Sequence, residues 1–132
     1  MIDRPDEVLE VATLERLNRI GGQEFLVEMI DLFLLHAPQR LRTAREALAS
    51  GDLHQLYRAA HSLKSTAGNL GARGLEDVAR RLEERASGGD AEAAGPLLEA
   101  VELAYDHVRA RLEAERRRRT GGTEADERKG RP

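Results

Sequence analysis

Residues 60–71, which read AHSLKSTAGNLG, combine residue types at a spacing that could perform phosphoryl chemistry. Successive residues on an α-helix turn by about 100°, so Lys64 and Ser65 lie one turn after His61 and Gly68 lies two turns after it. A neutral imidazole nitrogen is a competent nucleophile toward phosphorus. Because phosphoryl transfer depends on positioning and charge neutralisation, the pattern predicts that His61 carries a phosphoryl group. Lys64 would neutralise its charge and Ser65 could donate a hydrogen bond.

The lysine at position 64 supports this interpretation. The chain has 21 lysine and arginine residues, and only Lys64 and Lys129 among them are lysines. A compact ammonium group is not interchangeable with a planar guanidinium. We therefore interpret Lys64 as selected for its chemistry, although codon bias could leave an isolated lysine by chance.

Gly68 has two open interpretations. Glycine inside a helix costs roughly 1 kcal/mol relative to alanine, so its place in line with His61 indicates that another molecule approaches the backbone there. Alternatively, Gly68 begins the end of the helix, since Asn69 and Gly71 follow it. Toward the N-terminus, the polar side of the helix that carries His61 and Lys64 continues through Arg58. We expect Arg58 to flank the phosphate or a docking surface.

The chain lacks the sequence features of an autonomous kinase. It has no Gly-rich phosphate loop, no Walker lysine and no obvious carboxylate cluster for Mg²⁺. We therefore predict a phosphocarrier with no cofactor and no metal site of its own, and the sequence leaves open whether it counts as an enzyme. Its partner should supply Mg²⁺, the phosphoryl donor and most of the transition-state stabilisation.

Helical periodicity dominates the rest of the chain, and no segment shows the alternation of a half-buried strand. The pattern predicts a short helix from Val8 to Arg19 that ends at Gly21-Gly22. Four longer amphipathic helices follow, with apolar residues at 26–48, 53–70, 75–86 and 97–112. Short connections between them predict an all-α fold, an antiparallel up-down four-helix bundle.

Local signals predict the ends and irregularities of these helices. Pro38 should kink its helix without ending it, whereas Gly95-Pro96 is expected to interrupt the first turns of the last helix. Asp52 should cap the helix that carries His61, with Gln55 three residues later as a possible capping-box partner.

Composition limits the class of protein. The chain has 132 residues, enough for one domain, and its hydrophobic fraction of 40% with only 3% aromatic residues predicts an aliphatic core. The absence of cysteine excludes a disulfide framework and a thiol nucleophile. No apolar run approaches the roughly 20 residues that span a bilayer, and no signal sequence is visible, so we expect a cytoplasmic protein.

Charge is unevenly distributed along the chain. The net charge is −3, but residues 115–132 contain seven basic and four acidic residues, a local charge of +3 that leaves −6 for the rest. An acidic body argues against a nucleic-acid-binding domain. We interpret the arginine run 116–119 as the frayed end of the last helix. The composition predicts one domain over residues 1–115 and a polar, disordered tail over residues 116–132.

Residues 60–75 resemble the signature of histidine-containing phosphotransfer (HPt) domains, whose core reads A-H-x-L-K-(G/S)-x-(A/S)-x-x-x-G. The resemblance extends from about Leu9 to Leu112. It implies a four-helix bundle with an exposed His61, phosphorylated on the nitrogen remote from the backbone, and with Lys64 steadying the phosphoryl group. It also implies a receiver-domain phospho-aspartate as donor and a second receiver aspartate as acceptor. Ser65 stands where the family often has glycine.

The partners that the resemblance implies are response-regulator receiver domains and a hybrid sensor kinase of bacterial two-component signalling. We expect a monomer that binds neither nucleic acid nor membranes. Leu35 falls roughly opposite the centre of the apolar stripe of its helix. It is a candidate contact for a receiver domain, or it covers the first helix.

Other interpretations of the histidines can be compared with this one. A metal site formed by His54 and His61 is disfavoured, because two helical turns separate them by about 10.5 Å. The dimerisation helices of sensor kinases usually place an acidic residue after the histidine and a proline soon after it, whereas Ser62 follows here. His36 and His107 are expected to be structural or solvated. A non-catalytic helical bundle that binds receiver or other signalling proteins is the open alternative.

Overall fold

A computed structural model of the protein describes the backbone of residues 8–130 and the side chains of residues 8–121. Over that range the chain forms four α-helices and no strand. The helices are α1 (Val11–Ser50), α2 (Leu53–Asn69), α3 (Arg73–Ser87) and α4 (Ala91–Gly130). Each helix packs against the next one in the chain, and α4 closes the bundle against α1. The predicted four-helix bundle is confirmed.

α1 contains the break that the sequence predicts near its start. Gly22 has φ +88° and ψ 175°, outside the helical region, so the segment before it is the short leading helix. This backbone conformation is accessible almost exclusively to glycine. Pro38, in contrast, lies within α1 without ending it, as predicted.

A side-chain cap begins α2, and a turn with a left-handed glycine follows its end. The side chain of Asp52 accepts a hydrogen bond of 3.1 Å from the backbone N–H of Gln55, which confirms the predicted cap. At the other end Gly71 has φ +76°, and its carbonyl accepts a hydrogen bond of 2.9 Å from the N–H of Glu10. The turn between α2 and α3 therefore also holds the residue that precedes α1.

α4 is more continuous than its sequence predicts. The expected interruption at Gly95-Pro96 does not occur, because the helix includes Pro96 and continues to Gly130. Its first turn is secured by Asp90, whose side chain accepts a hydrogen bond of 3.1 Å from the N–H of Ala93. The boundary that composition predicts between residues 115 and 116 is not marked by a helix end.

The core is aliphatic, as the composition predicts, and it fixes the rotation of each helix. The largest fully buried side chains are Leu9, Leu14, Leu26, Ile30, Leu56, Leu63, Leu70, Leu75, Leu82, Leu98, Leu112 and Val101. Ala60 and Leu63 are both completely buried on α2. Their neighbours His61 and Lys64 are consequently placed at the edge of the helix that meets α3. Among the described residues, no helix combines the length and apolar character needed to cross a lipid bilayer.

Candidate functional site

His61 lies at the edge of α2 with 52% of its side chain exposed. Its Nδ1 lies 3.1 Å from Oε2 of Glu83, a residue of α3. An ionised carboxylate can only accept hydrogen bonds, so Nδ1 carries the proton of this pair. The neutral ring then keeps its lone pair on Nε2, the nitrogen remote from the backbone. This arrangement suits a nucleophile that attacks from the exposed side of the helix.

Glu83 links His61 to Lys64. Its Oε1 lies 2.9 Å from Nζ of Lys64, and only 13% of the Glu83 side chain is exposed. Burial alone raises the pKa of the Glu83 carboxyl, but hydrogen bonds from Lys64 and His61 outweigh burial and lower this pKa below its ordinary value. Glu83 is therefore ionised at neutral pH, where it orients the imidazole and holds the ammonium group one turn away.

Glu83 is absent from the site residues predicted from the sequence, although a signal for it exists. α2 and α3 are consecutive helices joined only by residues 70–72. In such a hairpin, residues equally distant from the turn face each other. The connection is centred on Gly71, so the residue at the same distance from it as His61 is Arg81, two residues before Glu83. Counting outward from the turn therefore indicates the stretch of α3 that faces the histidine, and the packing of the two helices selects Glu83 within it.

Gly68 faces α3 in the same register. A β-carbon at Gly68 would lie 2.8 Å from Oε2 of Glu76, and Glu76 is paired with Arg73 at 2.9 Å. Within the protein, the group that approaches this glycine closely is therefore a carboxylate of α3. Gly68 is the second-last residue of α2, which ends at Asn69. Its proximity to a phosphoryl group stays a prediction.

Three further predicted site residues, Ser65, Arg58 and Leu35, are not among the residues that contact one another around Glu83. Ser65 and Arg58 are exposed on α2. Leu35 is 59% exposed on α1, as predicted, but it lies outside the groove between α1 and α2, which Leu32 lines. Roles for these three residues in phosphate binding or docking stay predictions.

The groove between α1 and α2 is apolar at its base and has a basic rim. It encloses about 210 Å³ and includes Met29 and Leu32 of α1. On its rim, Nε of Arg40 donates a hydrogen bond of 3.0 Å to Oγ of Ser62, the residue that follows His61. A guanidinium group from α1 thus lies close to the histidine helix.

An aromatic contact accompanies the histidine on α2. The ring of Tyr57 lies 6.0 Å from the ring of His61, centroid to centroid, with an interplanar angle of 22°. His54 contacts the same tyrosine at 6.4 Å and 16°. His107 is exposed on α4. Within the described part of the chain, no group of three or more histidine, aspartate or glutamate side chains could hold a metal ion.

Comparison with known proteins agrees with this geometry. The model of the Hpt domain family matches residues 28–111. The chain belongs to the Hpt domain family. The matched residues include all of α2 and α3, and with them His61, Lys64 and Glu83.

One protein similar in sequence and one similar in structure can be compared with this Hpt domain. The sensor protein TorS of Escherichia coli strain K12 is 34% identical over 80 residues, which are 61% of this chain and 9% of TorS. The crystal structure of histidine-containing phosphotransfer protein B (HptB) from Pseudomonas aeruginosa PAO1 matches with a TM-score of 0.81 and 32% identity. That match covers 85% of this chain and 96% of HptB.

Proposed function

We propose that this Hpt protein is a phosphorelay intermediate that carries a phosphoryl group on Nε2 of His61. The donor is a phospho-aspartate of a receiver domain, and the acceptor is an aspartate of a second receiver domain. The observation that carries the proposal is the hydrogen bond from Nδ1 of His61 to Glu83, because it leaves the lone pair on Nε2. The match to HptB and to part of TorS supports the same activity.

The transfer step balances with the groups of the two proteins. The Nε2 lone pair of His61 forms a bond to phosphorus, and the bond from phosphorus to the aspartyl oxygen breaks. The released aspartate keeps that electron pair as a carboxylate. Positive charge that develops on the imidazole is stabilised by Glu83, whose carboxylate accepts the Nδ1 hydrogen bond. Transfer to the second receiver reverses these events.

Lys64 is proposed to neutralise charge on the phosphoryl oxygens. Lys64 lies one turn after His61, and its Nζ forms an ion pair with Glu83. The Lys64 side chain is 27% exposed. The flexible stem lets an ammonium group adjust its direction without moving the helix. Glu83 thus holds the cation next to the place where the phosphoryl group arrives.

The partner contributes what this chain does not provide. We propose that the receiver domain supplies Mg²⁺ and most of the transition-state stabilisation, and that this chain acts as a carrier without a cofactor. A hybrid sensor kinase is the proposed upstream partner, and similarity to part of TorS supports it. A monomeric state and a cytoplasmic location stay predictions.

Phosphoryl transfer from a labelled, phosphorylated receiver domain tests the proposal. The wild type should acquire acid-labile, base-stable label, and His61→Gln should acquire none. His107→Gln provides the matched control, because His107 is an exposed histidine on α4. Circular dichroism should show unchanged helix content in both variants, since the His61 side chain is exposed.

Each other outcome has a definite meaning. Label on His61→Gln would assign the phosphoryl group to a different residue. Absence of label from the wild type, across several receivers, would favour the non-catalytic interaction bundle. Loss of helix in His61→Gln would make His61 a structural residue.

A further inference from the structure

We propose that Tyr57 is a positioning residue for His61. Its ring limits the orientation of the imidazole, so that Nδ1 stays on Glu83 and Nε2 stays available to the phosphoryl donor. This inference rests on the proposed function of His61 as the phosphoryl carrier. It assigns the tyrosine no contact with the reacting phosphorus.

The geometry of the two rings is that of an offset aromatic pair. The centroids of Tyr57 and His61 are 6.0 Å apart and the planes are 22° from parallel. Aromatic rings attract each other at centroid separations of about 4.5–7 Å, with offset arrangements preferred. Tyr57 is four residues before His61, the spacing at which side chains on one helix face meet.

A second contact is needed because one hydrogen bond does not fix an exposed ring. Glu83 holds only Nδ1, and His61 is 52% exposed. This hydrogen bond breaks whenever the ring turns about its Cβ–Cγ bond, and exposed side chains change rotamer within nanoseconds. Tyr57 limits this rotation from the side of the preceding helical turn.

Tyr57 can serve as a support because it is itself anchored. Its side chain is half-buried and packs against the edge of the core. It lines a cleft together with Leu53 of α2 and Ala86 of α3. The ring of His54 contacts it at 6.4 Å, nearly parallel. The tyrosine therefore connects the exposed histidine to the seam between α2 and α3.

The test compares Tyr57→Phe, which keeps the ring, with Tyr57→Leu, which keeps apolar bulk without the ring. Long-range ¹H–¹⁵N spectra report the tautomer of His61, and its ring proton shifts report the neighbouring aromatic ring. In Tyr57→Leu we expect loss of the ring-current shift, a mixed tautomer signal and transfer from the phosphorylated receiver about three- to tenfold slower. Tyr57→Phe should match the wild type in all three measurements.

The outcomes separate this inference from the proposed function. If the wild type accepts label and Tyr57→Leu transfers at the same rate with the same tautomer, the positioning role is wrong. If Tyr57→Phe behaves like Tyr57→Leu, the hydroxyl group and not the ring is responsible, which also overturns it. If the wild type accepts no label, the proposed function fails, while the spectra still decide whether Tyr57 orients His61. Should Tyr57→Leu not fold, Tyr57→Met provides the same comparison.

Discussion

At the scale of single residues, Glu83 determines the tautomer of His61 and the position of the Lys64 ammonium group. It accepts a hydrogen bond of 3.1 Å from Nδ1 of His61, and its other oxygen forms an ion pair of 2.9 Å with Nζ of Lys64. A histidine without such a partner divides its proton between two nitrogens, and only one tautomer leaves Nε2 nucleophilic. The nitrogen proposed to accept the phosphoryl group is thus selected by a residue on a different helix.

Replacement of Glu83 by glutamine should change how stability depends on pH. The pKa of Glu83 lies below its ordinary value of 4.5 in the folded protein. Its ionised form therefore stabilises the fold above that value, and the contribution is lost as the pH falls through the lower folded pKa. In urea denaturation we expect Glu83→Gln to cost about 1 kcal/mol at neutral pH and progressively less at acid pH, as the carboxyl of the folded protein becomes protonated.

A neighbouring glutamate provides the control for this prediction. Glu84 is exposed and lies 3.8 Å from Arg80. An exposed pair contributes little to stability, so Glu84→Gln should change the unfolding free energy only slightly at either pH. A Glu83→Gln effect that is equal at neutral and acid pH would show that the stabilisation does not come from the ionised carboxyl.

Some residues of the site can be predicted from the sequence, and others cannot. His61 and Lys64 belong to one helix, where spacing alone places them one turn apart. Glu83 becomes part of the site only through the packing of α3 on α2, which residue types within one helix do not encode. Tyr57 lies four residues before His61 on the same helix, but its ring contact depends on side-chain conformation.

At the scale of elements, the turn between α2 and α3 sets the register that brings Glu83 to His61. Gly71 in this turn has φ +76°, and a β-carbon there would lie 2.8 Å from Cβ of Thr13. The left-handed conformation is costly for residues other than glycine. The turn therefore tolerates neither a different backbone conformation nor a larger residue.

Gly71→Ala should destabilise the protein, whereas Gly74→Ala should not. Backbone strain and the contact with Thr13 together should cost about 2–4 kcal/mol in urea denaturation. Gly74 lies in α3 with nothing within 4 Å of an added β-carbon. Its replacement should be neutral or stabilise by up to about 1 kcal/mol. Equal effects of the two substitutions would contradict the role assigned to Gly71.

The helix ends show which elements the sequence can predict. The break at Gly22 and the cap at Asp52 depend on the residue itself and its nearest neighbours, and both predictions are confirmed. The continuity of α4 through Pro96 depends instead on the hydrogen bonds and packing of the surrounding helical turns. A proline in the early turns removes one hydrogen bond, and the remaining bonds and packing can offset that loss.

At the scale of the whole molecule, residues 115–119 of α4 connect this helix to α1. Nε of Arg116 lies 2.6 Å from Oδ1 of Asp31 on α1, and Arg119 donates a hydrogen bond of 2.9 Å to Gln23. Glu115 is buried and paired with Arg119 at 3.1 Å. The interpretation of the arginine run as a frayed helix end is therefore wrong for these two arginines, because tertiary contacts with α1 hold them.

Truncation after residue 115 should lower Tm by more than truncation after residue 121, because only the shorter chain loses Arg116 and Arg119. The shorter chain loses Arg116 and Arg119 and leaves Glu115, only 8% exposed, without its cationic partners. The exposed pair of Arg116 and Asp31 contributes up to about 1 kcal/mol, and the loss of Arg119 adds the cost of leaving a buried carboxylate without its partner, so we expect a total loss of about 2–4 kcal/mol and a fall in Tm of about 6–15 °C. Both truncated chains should still accept label on His61, because the contacts of its ring lie within residues 57–83. Equal Tm values for the two truncations would instead place the stability boundary where composition predicts it, at residue 115.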